Sequence, residues 1–112
     1  MTDFIHFVNQ VSPLDDDAFE DLFKKLKNKT LTKGDYLLKT GEVCRYLYFI
    51  DEGLVKTFFS KESKDFILRF FPEQSMFTVL DSFLSQTPSM YMILALEKTK
   101  VTYISRTEIE EL

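Results

Sequence analysis

The first part of the chain has apolar residues three and four positions apart, which is the spacing of an amphipathic helix. This spacing predicts one helix over residues 3–11 and a second over residues 13–27. Ser12 and Pro13 mark the boundary between them, because Ser caps a helix and Pro fits its first turn. The residues of the second helix that we expect to face the core are Leu14, Ala18, Leu22 and Leu26, supported by Phe19 and Phe23.

After this helical part the pattern changes to short apolar runs separated by polar or glycine-containing breaks, which is typical of β-strands. The predicted strands cover residues 29–31, 36–39, 45–50, 54–59, 65–71, 91–97 and 100–104. A polar turn over residues 60–64 separates two of them. Near the end of the chain, Ser105 and Glu108 form the pattern of a capping box, which predicts the start of a further helix.

Two of these strands, 45–50 and 54–59, flank the turn Asp51-Glu52-Gly53. Gly accepts a positive φ without a clash of its own side chain, so this turn predicts a β-hairpin. Both strands have apolar residues at adjacent positions, and therefore neither face is made for water alone. We expect the hairpin to lie inside a closed or rolled β structure.

The only three glycines of the chain lie where one apolar run ends and the next begins. They occur in three motifs: Lys33-Gly34-Asp35, Gly41-Glu42 and Tyr48–Val55. This set of motifs resembles the cyclic-nucleotide-binding-like sensor domain of the Crp/Fnr family of bacterial transcription regulators. In that family the motifs mark successive corners of a β-roll.

The resemblance covers residues 12–112 and implies a mainly β (α+β) fold, a double-stranded β-helix or β-roll of the jelly-roll type. It implies a single domain over residues 1–112, with helices over about 3–27 and the roll over about 29–104. Residues 106–112 would begin a carboxyl-terminal helix. Family members continue from that helix into a helix-turn-helix domain. We expect this chain to lack that domain, as a fragment or as a stand-alone sensor.

Composition and charge restrict the classes of function further. A chain of 112 residues, of which 45% are hydrophobic, is long enough for one buried core. Its net charge of −4 is the opposite of a basic DNA-binding surface, so we expect DNA contact only through a domain absent from this chain. One cysteine excludes an internal disulfide, and no apolar run reaches the roughly 20 residues of a membrane span. These features predict a cytoplasmic domain without a membrane contact.

The resemblance also points to a candidate ligand site. Family domains that bind cyclic nucleotide carry Gly-Glu, a short helix, a loop and then Arg-(Ser/Thr)-Ala, so that the arginine and helix N–H groups neutralise the phosphate. The short helix would lie around 81–84, and the corresponding ligand-binding residues by family position are Val79, Leu80, Asp81, Ser82, Ser89 and Met90. No glycine follows Gly53 and no arginine lies between Arg69 and Arg106, so the determinants of phosphate binding are missing.

Several of these residues also have a simple structural interpretation, in which Ser82 and Ser89 form turns and Asp81 caps the short helix. Cys44 precedes Arg45, which could make it redox-active, but a small apolar strand residue is the favoured interpretation. His6 is the only histidine, and one histidine cannot supply the ligands of a metal enzyme. We therefore predict no metal site, no cofactor and no catalytic residue.

The sequence as a whole predicts the effector-sensing regulatory domain of a Crp/Fnr-like transcription regulator, and not an enzyme. The effector would be an unidentified small molecule in the roll, and the full-length protein would be a homodimer. By resemblance, the ligand shifts the hinge of the carboxyl-terminal helix and so reorients DNA-binding domains. Bare apolar surface on such a fragment also predicts self-association. Two alternatives stay open, a cyclic-nucleotide-binding domain with a diverged site and, less favoured, a small cupin-like metalloenzyme.

Overall fold

The computed structural model describes residues 16–111, in which eight strands and three helices follow one another. The helices are α1 (Asp16–Lys25), α2 (Leu80–Ser85) and α3 (Arg106–Glu110). The strands are β1 (Lys27–Leu31), β2 (Tyr36–Leu38), β3 (Tyr46–Glu52), β4 (Val55–Lys61), β5 (Lys64–Phe71), β6 (Met76–Phe77), β7 (Met92–Ala95) and β8 (Thr99–Ser105). The predicted helix over residues 3–11, His6 and the predicted boundary at Ser12 and Pro13 lie outside the described residues. Within the described range, no helix has both the length and the apolar character that a bilayer crossing requires.

The strands form two antiparallel sheets of four strands each, in the orders β1-β8-β3-β6 and β2-β7-β4-β5. The main core cluster takes residues from both sheets. Ile50 and Val101 come from the first sheet and Val55 and Ile93 from the second, and all four are fully buried. The two sheets therefore pack face to face around one core, and the predicted mainly β fold is confirmed.

The predicted hairpin around Asp51-Glu52-Gly53 is wrong, because its two flanking strands belong to different sheets. β3 pairs with β6 and β8, whereas β4 pairs with β5 and β7. Asp51 and Glu52 still belong to β3, and the chain passes to the other sheet at Gly53, where φ is +112°. A local glycine signal shows that the chain turns, but it does not show which strand the next one joins.

A hairpin does follow, and it joins β4 to β5 through Glu62 and Ser63. Both residues have positive φ, at 54° and 66°. Two consecutive positive φ values match the twist of paired antiparallel strands, as in a type I′ turn. Both strands therefore extend into the polar stretch 60–64 that was predicted to be a turn throughout.

Strand β5 contains one extra residue relative to its partner. Thr57 of β4 lies opposite Arg69, and the next residue, Phe58, lies opposite Ile67. Leu68 is therefore left without a partner, which makes it a β-bulge. Among the strands of residues 16–111, β4 is the only neighbour of β5, so this bulge lies on an edge strand.

Helix α1 packs against the first sheet. Leu22 and, just after the helix, Leu26 are buried together with Phe49 of β3 and Ile104 of β8. Phe23 was expected to support this face but is 51% exposed. The reason is geometric, because Phe23 follows Leu22 directly and so points about 100° away from it around the helix.

Helix α3 begins with the predicted capping box, which is confirmed. The Ser105 hydroxyl accepts a hydrogen bond from the Glu108 N–H at 3.0 Å, and the Glu108 carboxylate accepts one from the Ser105 N–H at 3.2 Å. Glu108 also pairs with Lys27 of β1 at 3.1 Å, and Glu111 pairs with Lys25 of α1 at 3.1 Å. These contacts hold the last described helix against both α1 and the roll.

Candidate functional site

A partly open cavity of about 320 Å³ lies beside the start of α2. Its lining comes from β4, from β5, from the connection between β6 and α2, from the first turn of α2, and from the segment before β7. The residues are Thr57, Leu68, Arg69, Phe71, Thr78, Val79, Leu80, Asp81 and Tyr91. Most of them are apolar or carry a single hydroxyl, and this lining suits a small ligand with an apolar part.

Three of the residues expected by family position to bind a ligand line this cavity, namely Val79, Leu80 and Asp81. Val79 is buried and is the N-cap residue of α2, and its apolar side chain makes no capping hydrogen bond. Leu80 lines the cavity although 60% of its surface is exposed. Asp81 lies in the first turn of α2, so the idea that it caps the helix is wrong. Its negative charge there is favoured by the helix dipole.

Ser82 does not line the cavity and is a buried tie between α2 and the rest of the roll. Its hydroxyl accepts a hydrogen bond from the Cys44 N–H at 2.8 Å and donates one to the Thr87 carbonyl at 2.5 Å. Gln86, which follows the last helical residue, donates from its side chain to the Cys44 carbonyl at 3.2 Å. Helix α2 is therefore fixed on the segment that carries Cys44.

Ser89 and Met90 lie in the loop before β7, and neither lines the cavity. Ser89 is 4% exposed, and its hydroxyl accepts from the Tyr91 N–H at 2.8 Å and donates to the Tyr91 carbonyl at 2.9 Å. Its own N–H donates to the Glu42 carbonyl, and its carbonyl accepts from the Gly41 N–H, both at 2.8 Å. Met90 is 68% exposed. The polar groups of Ser89 are thus used to join the loop to the Gly41-Glu42 corner.

Cys44 is a buried thiol that contacts the segment leading into α2. Its sulfur lies 3.3 Å from the Thr78 hydroxyl, which itself donates to the Tyr46 carbonyl at 2.9 Å. Cys44 lies outside the described strands, contrary to expectation, but its 1% exposure agrees with a small apolar residue rather than an accessible redox thiol. Across residues 16–111, no three side chains of His, Cys, Asp or Glu converge as a metal site would require.

A stack of aromatic rings fixes one wall of the cavity. Phe71 of β5 stacks on Phe77 of β6 with ring centroids 4.9 Å apart, and Phe77 stacks on Tyr48 of β3 at 5.3 Å. The stack therefore connects the two sheets. Burial raises the pKa of Tyr48 well above its ordinary value of 10.0, so its hydroxyl stays neutral.

Arg69 is a charged cavity residue that the sequence did not identify as a candidate. It is the only charged residue between Asp65 and Glu73. It lies opposite the buried Thr57, and its guanidinium carbon is 5.2 Å from the centre of the Phe71 ring. A single charge in the otherwise apolar run 66–71 was a signal in the sequence, but its direction depends on pairing that the sequence does not show.

A family model described as the cyclic nucleotide-binding domain matches residues 28–112 of the chain. No curated protein sequence gives a significant match. The family model therefore detects a sequence relationship that comparison with single curated sequences does not.

Solved structures share the fold at low identity. The sensor domain of the transcriptional regulator DNR from Pseudomonas aeruginosa has a TM-score of 0.80 at 18% identity, over 96% of this chain and 78% of that one. The Catabolite Activator Protein of Thermus thermophilus has a TM-score of 0.74 at 16% identity, over 89% and 47%. The regulatory subunit of a cAMP-independent protein kinase A from Trypanosoma brucei has a TM-score of 0.78 at 22% identity, over 96% and 41%. The chain thus spans about half the length of the Thermus protein. These likenesses confirm the expected β-roll fold.

Proposed function

Because the chain belongs to the cyclic nucleotide-binding domain family, we propose that it is the effector-sensing regulatory domain of a Crp/Fnr-like transcription regulator. The observation that carries the proposal is the cavity of about 320 Å³ beside the start of α2. Val79, Leu80 and Asp81, expected at the ligand by resemblance, line this cavity. In this proposal the domain works by binding an effector and not as an enzyme.

The proposed effector is a small molecule other than a cyclic nucleotide held in the usual way. In the usual arrangement, an arginine and a serine or threonine after the short helix give charge-assisted hydrogen bonds to the phosphate. By resemblance, Ser89 and Met90 take those positions here. The Ser89 hydroxyl is engaged by Tyr91, and Met90 carries no charge. These two positions therefore offer no cation to a phosphate.

In this proposal the effector acts through α3 and the chain that follows the roll. Ile109 of α3 packs against both core clusters, so a shift in either cluster reaches this helix. A ligand that binds one position of α3 better than another shifts the population between them. The proposal treats residues 1–112 as a single domain. It places the full-length regulator in the cytoplasm as a homodimer that contacts DNA through a separate domain.

A cyclic-nucleotide-binding domain with a diverged site is the second candidate, and one observation favours it. Arg69 brings a guanidinium to the cavity from β5. A phosphate in the cavity would therefore find a cation, although none follows α2 in the loop before β7.

A tryptophan reporter in the cavity tests the proposed function, because the chain has no tryptophan of its own. Leu80→Trp places an indole in the cavity lining, and Leu84→Trp is the matched control on the same helix outside it. Both leucines are more than half exposed, at 60% and 56%, so both variants are expected to fold. We expect saturable changes in emission on titration with amino acids, organic acids, nucleosides or aromatic amides, and only in the Leu80→Trp variant.

Calorimetry of the unmodified chain with cyclic AMP and cyclic GMP separates the two candidates. The proposal expects dissociation constants weaker than about 1 mM for both nucleotides, because the usual phosphate contacts are missing. Micromolar binding of either nucleotide would favour the second candidate. An emission signal that no tested molecule changes, or that changes equally in both tryptophan variants, would contradict a ligand in this cavity.

A further inference from the structure

Resting on the proposed function, we infer that the cavity binds a small organic anion and that Arg69 of β5 binds its anionic group. The ligand class is a carboxylate or a phosphate ester joined to an apolar body. The anion site would then be on a strand, and not in the loop that follows the short helix.

Strand pairing determines the direction of Arg69. Arg69 lies opposite Thr57, and Phe71 lies opposite Val55. Thr57 is 7% exposed and Val55 is fully buried, so this is the inner face of β4. Because directly opposite residues project to the same face, Arg69 and Phe71 project to the cavity side of the sheet. Arg69 is nevertheless an exposed residue, as a partly open cavity allows, and is not part of the core.

The bulge at Leu68 explains how the charge reaches the cavity. Leu68 and Arg69 are adjacent in the chain, yet both line the cavity. In a regular strand, adjacent side chains point to opposite faces. The extra residue breaks this alternation, which is how bulges re-aim side chains in proteins.

The guanidinium of Arg69 is positioned but not neutralised. It lies 5.2 Å from the centre of the Phe71 ring, and that ring is itself held by its stack on Phe77. None of the ion pairs formed within residues 16–111 includes Arg69. A planar guanidinium offers five N–H donors in a geometry that suits carboxylates and phosphates.

Asp81 makes the two ends of the cavity electrostatically different. Among the described residues of the lining it is the only other charged one, and it lies at the α2 end. An anion is repelled by its carboxylate and attracted by Arg69, so the charged end of the ligand is expected to face β5. The apolar body would then contact Phe71, Val79 and Tyr91.

The cavity volume restricts the size of the apolar body. About 320 Å³ is at the lower end of the range for small-molecule sites. A single aromatic ring with a short acidic side chain matches this volume. Phenylacetate and phenyl phosphate are therefore suitable probes.

A charged side chain on an edge strand has one other known role, which is to prevent pairing with a second molecule. Arg69 is on such an edge, so this role predicts that its loss increases self-association and leaves ligand binding unchanged. The two roles therefore give different results in the same variant.

Isothermal titration calorimetry with phenylacetate, phenylacetamide, phenyl phosphate and inorganic phosphate tests the inference. We expect at least one of the two organic anions to bind about tenfold or more tightly than the neutral phenylacetamide, because of a charge-assisted contact. Arg69→Gln should remove this preference, and Arg45→Gln, an exposed residue outside the cavity, should keep it. Asp81→Asn should bind the anion about twofold or more tightly, because it removes a repulsion.

Several results would overturn the inference: no binding of either organic anion, equal binding of phenylacetate and phenylacetamide, or equal losses in the Arg69 and Arg45 variants. Increased self-association of Arg69→Gln with unchanged affinity would assign it the edge-protecting role. Binding of inorganic phosphate as tightly as phenyl phosphate would also overturn it, because the apolar body would then contribute nothing. The relative affinities of phenylacetate and phenyl phosphate identify which anion the site prefers. If only neutral molecules bind and they still change the Leu80→Trp emission, the inference is wrong and the proposed function stands. If no molecule changes that emission, both are wrong.

Discussion

Of the three glycines in the chain, Gly53 is the one with no space for a side chain, and it lies at the turn between the two sheets. A Cβ at this position would lie 2.7 Å from the Lys98 carbonyl oxygen and 2.7 Å from the Thr99 Cα, and φ is +112°. Gly53→Ala is expected to lower the free energy of unfolding by more than about 2 kcal/mol, because backbone atoms have to move. Urea unfolding followed by circular dichroism measures this change.

Gly41→Ala is the matched control for this substitution. Gly41 has a similar φ of +91°, but apart from its two chain neighbours no described residue has a heavy atom within 4 Å of an added Cβ. It should lose only the cost of backbone strain, about 1 kcal/mol. Equal losses in the two variants would show that contact at Gly53 is not the cause.

The burial of a single residue was predictable from the sequence where the spacing of apolar residues nearby is enough to determine it. Leu22 and Leu26 are buried as expected, because helical periodicity alone sets their face. The direction of Arg69 was not predictable, because it depends on the bulge and on pairing with β4. Ser82 was identified as a candidate, but its partner Cys44 is 38 positions away, and no local pattern connects them.

Among the elements, helix α3 depends on the ionised carboxylate of Glu108. Partial burial opposes ionisation, but hydrogen bonds from the Ser105 N–H and the Lys27 ammonium outweigh it and hold the pKa of Glu108 below its ordinary value of 4.5. A carboxyl group with a lowered pKa stabilises the folded state above the unfolded pKa and loses this effect as the pH falls through the folded pKa. Glu108→Gln is therefore expected to be less stable than the unmodified chain at neutral pH, and the difference should disappear as the pH falls below about 4.5.

Urea unfolding of both proteins at a series of pH values between neutral and about 3 measures this difference, over the range in which carboxyl groups titrate. Glu110→Gln is the control on the same helix, because Glu110 pairs with Arg106 at 3.1 Å on the exposed surface. It is expected to change the free energy of unfolding less, since solvent screens such a pair. A Glu108→Gln difference that stays constant with pH would argue against the ionised carboxylate as the cause.

The element boundaries were mostly predictable, but their pairing was not. Each predicted strand overlaps an observed one, because alternation and turn residues are local signals. The connection at Gly53 was interpreted as a hairpin, since an aromatic run on each side of a glycine looks the same whether the strands pair or change sheet. The resemblance to a β-roll gave the correct architecture, and the local argument alone did not.

At the scale of the whole molecule, β5 leaves apolar surface uncovered at the edge of a sheet. Its half-exposed residues are Phe66, Ile67, Leu68 and Phe70. An exposed apolar edge of this kind favours association between molecules. We expect the chain to self-associate at high concentration, and Phe70→Lys to shift the equilibrium towards the monomer in sedimentation velocity experiments.

Phe23→Lys is the matched control, because Phe23 and Phe70 are both 51% exposed and Phe23 lies on α1. The same substitution should change association less there. A monomer at all concentrations, or equal effects of the two substitutions, would show that β5 is not the associating surface.

The enclosure of Cys44 has a consequence for how the cavity can be observed. Ser82 and Gln86 bind its backbone and Thr78 contacts its sulfur, so an alkylating reagent reaches the thiol only after such contacts have opened. The chain contains no other cysteine, so the rate of alkylation measures how often these contacts open. A molecule that keeps these contacts closed would lower the alkylation rate, so its binding could be detected without a signal from the molecule itself.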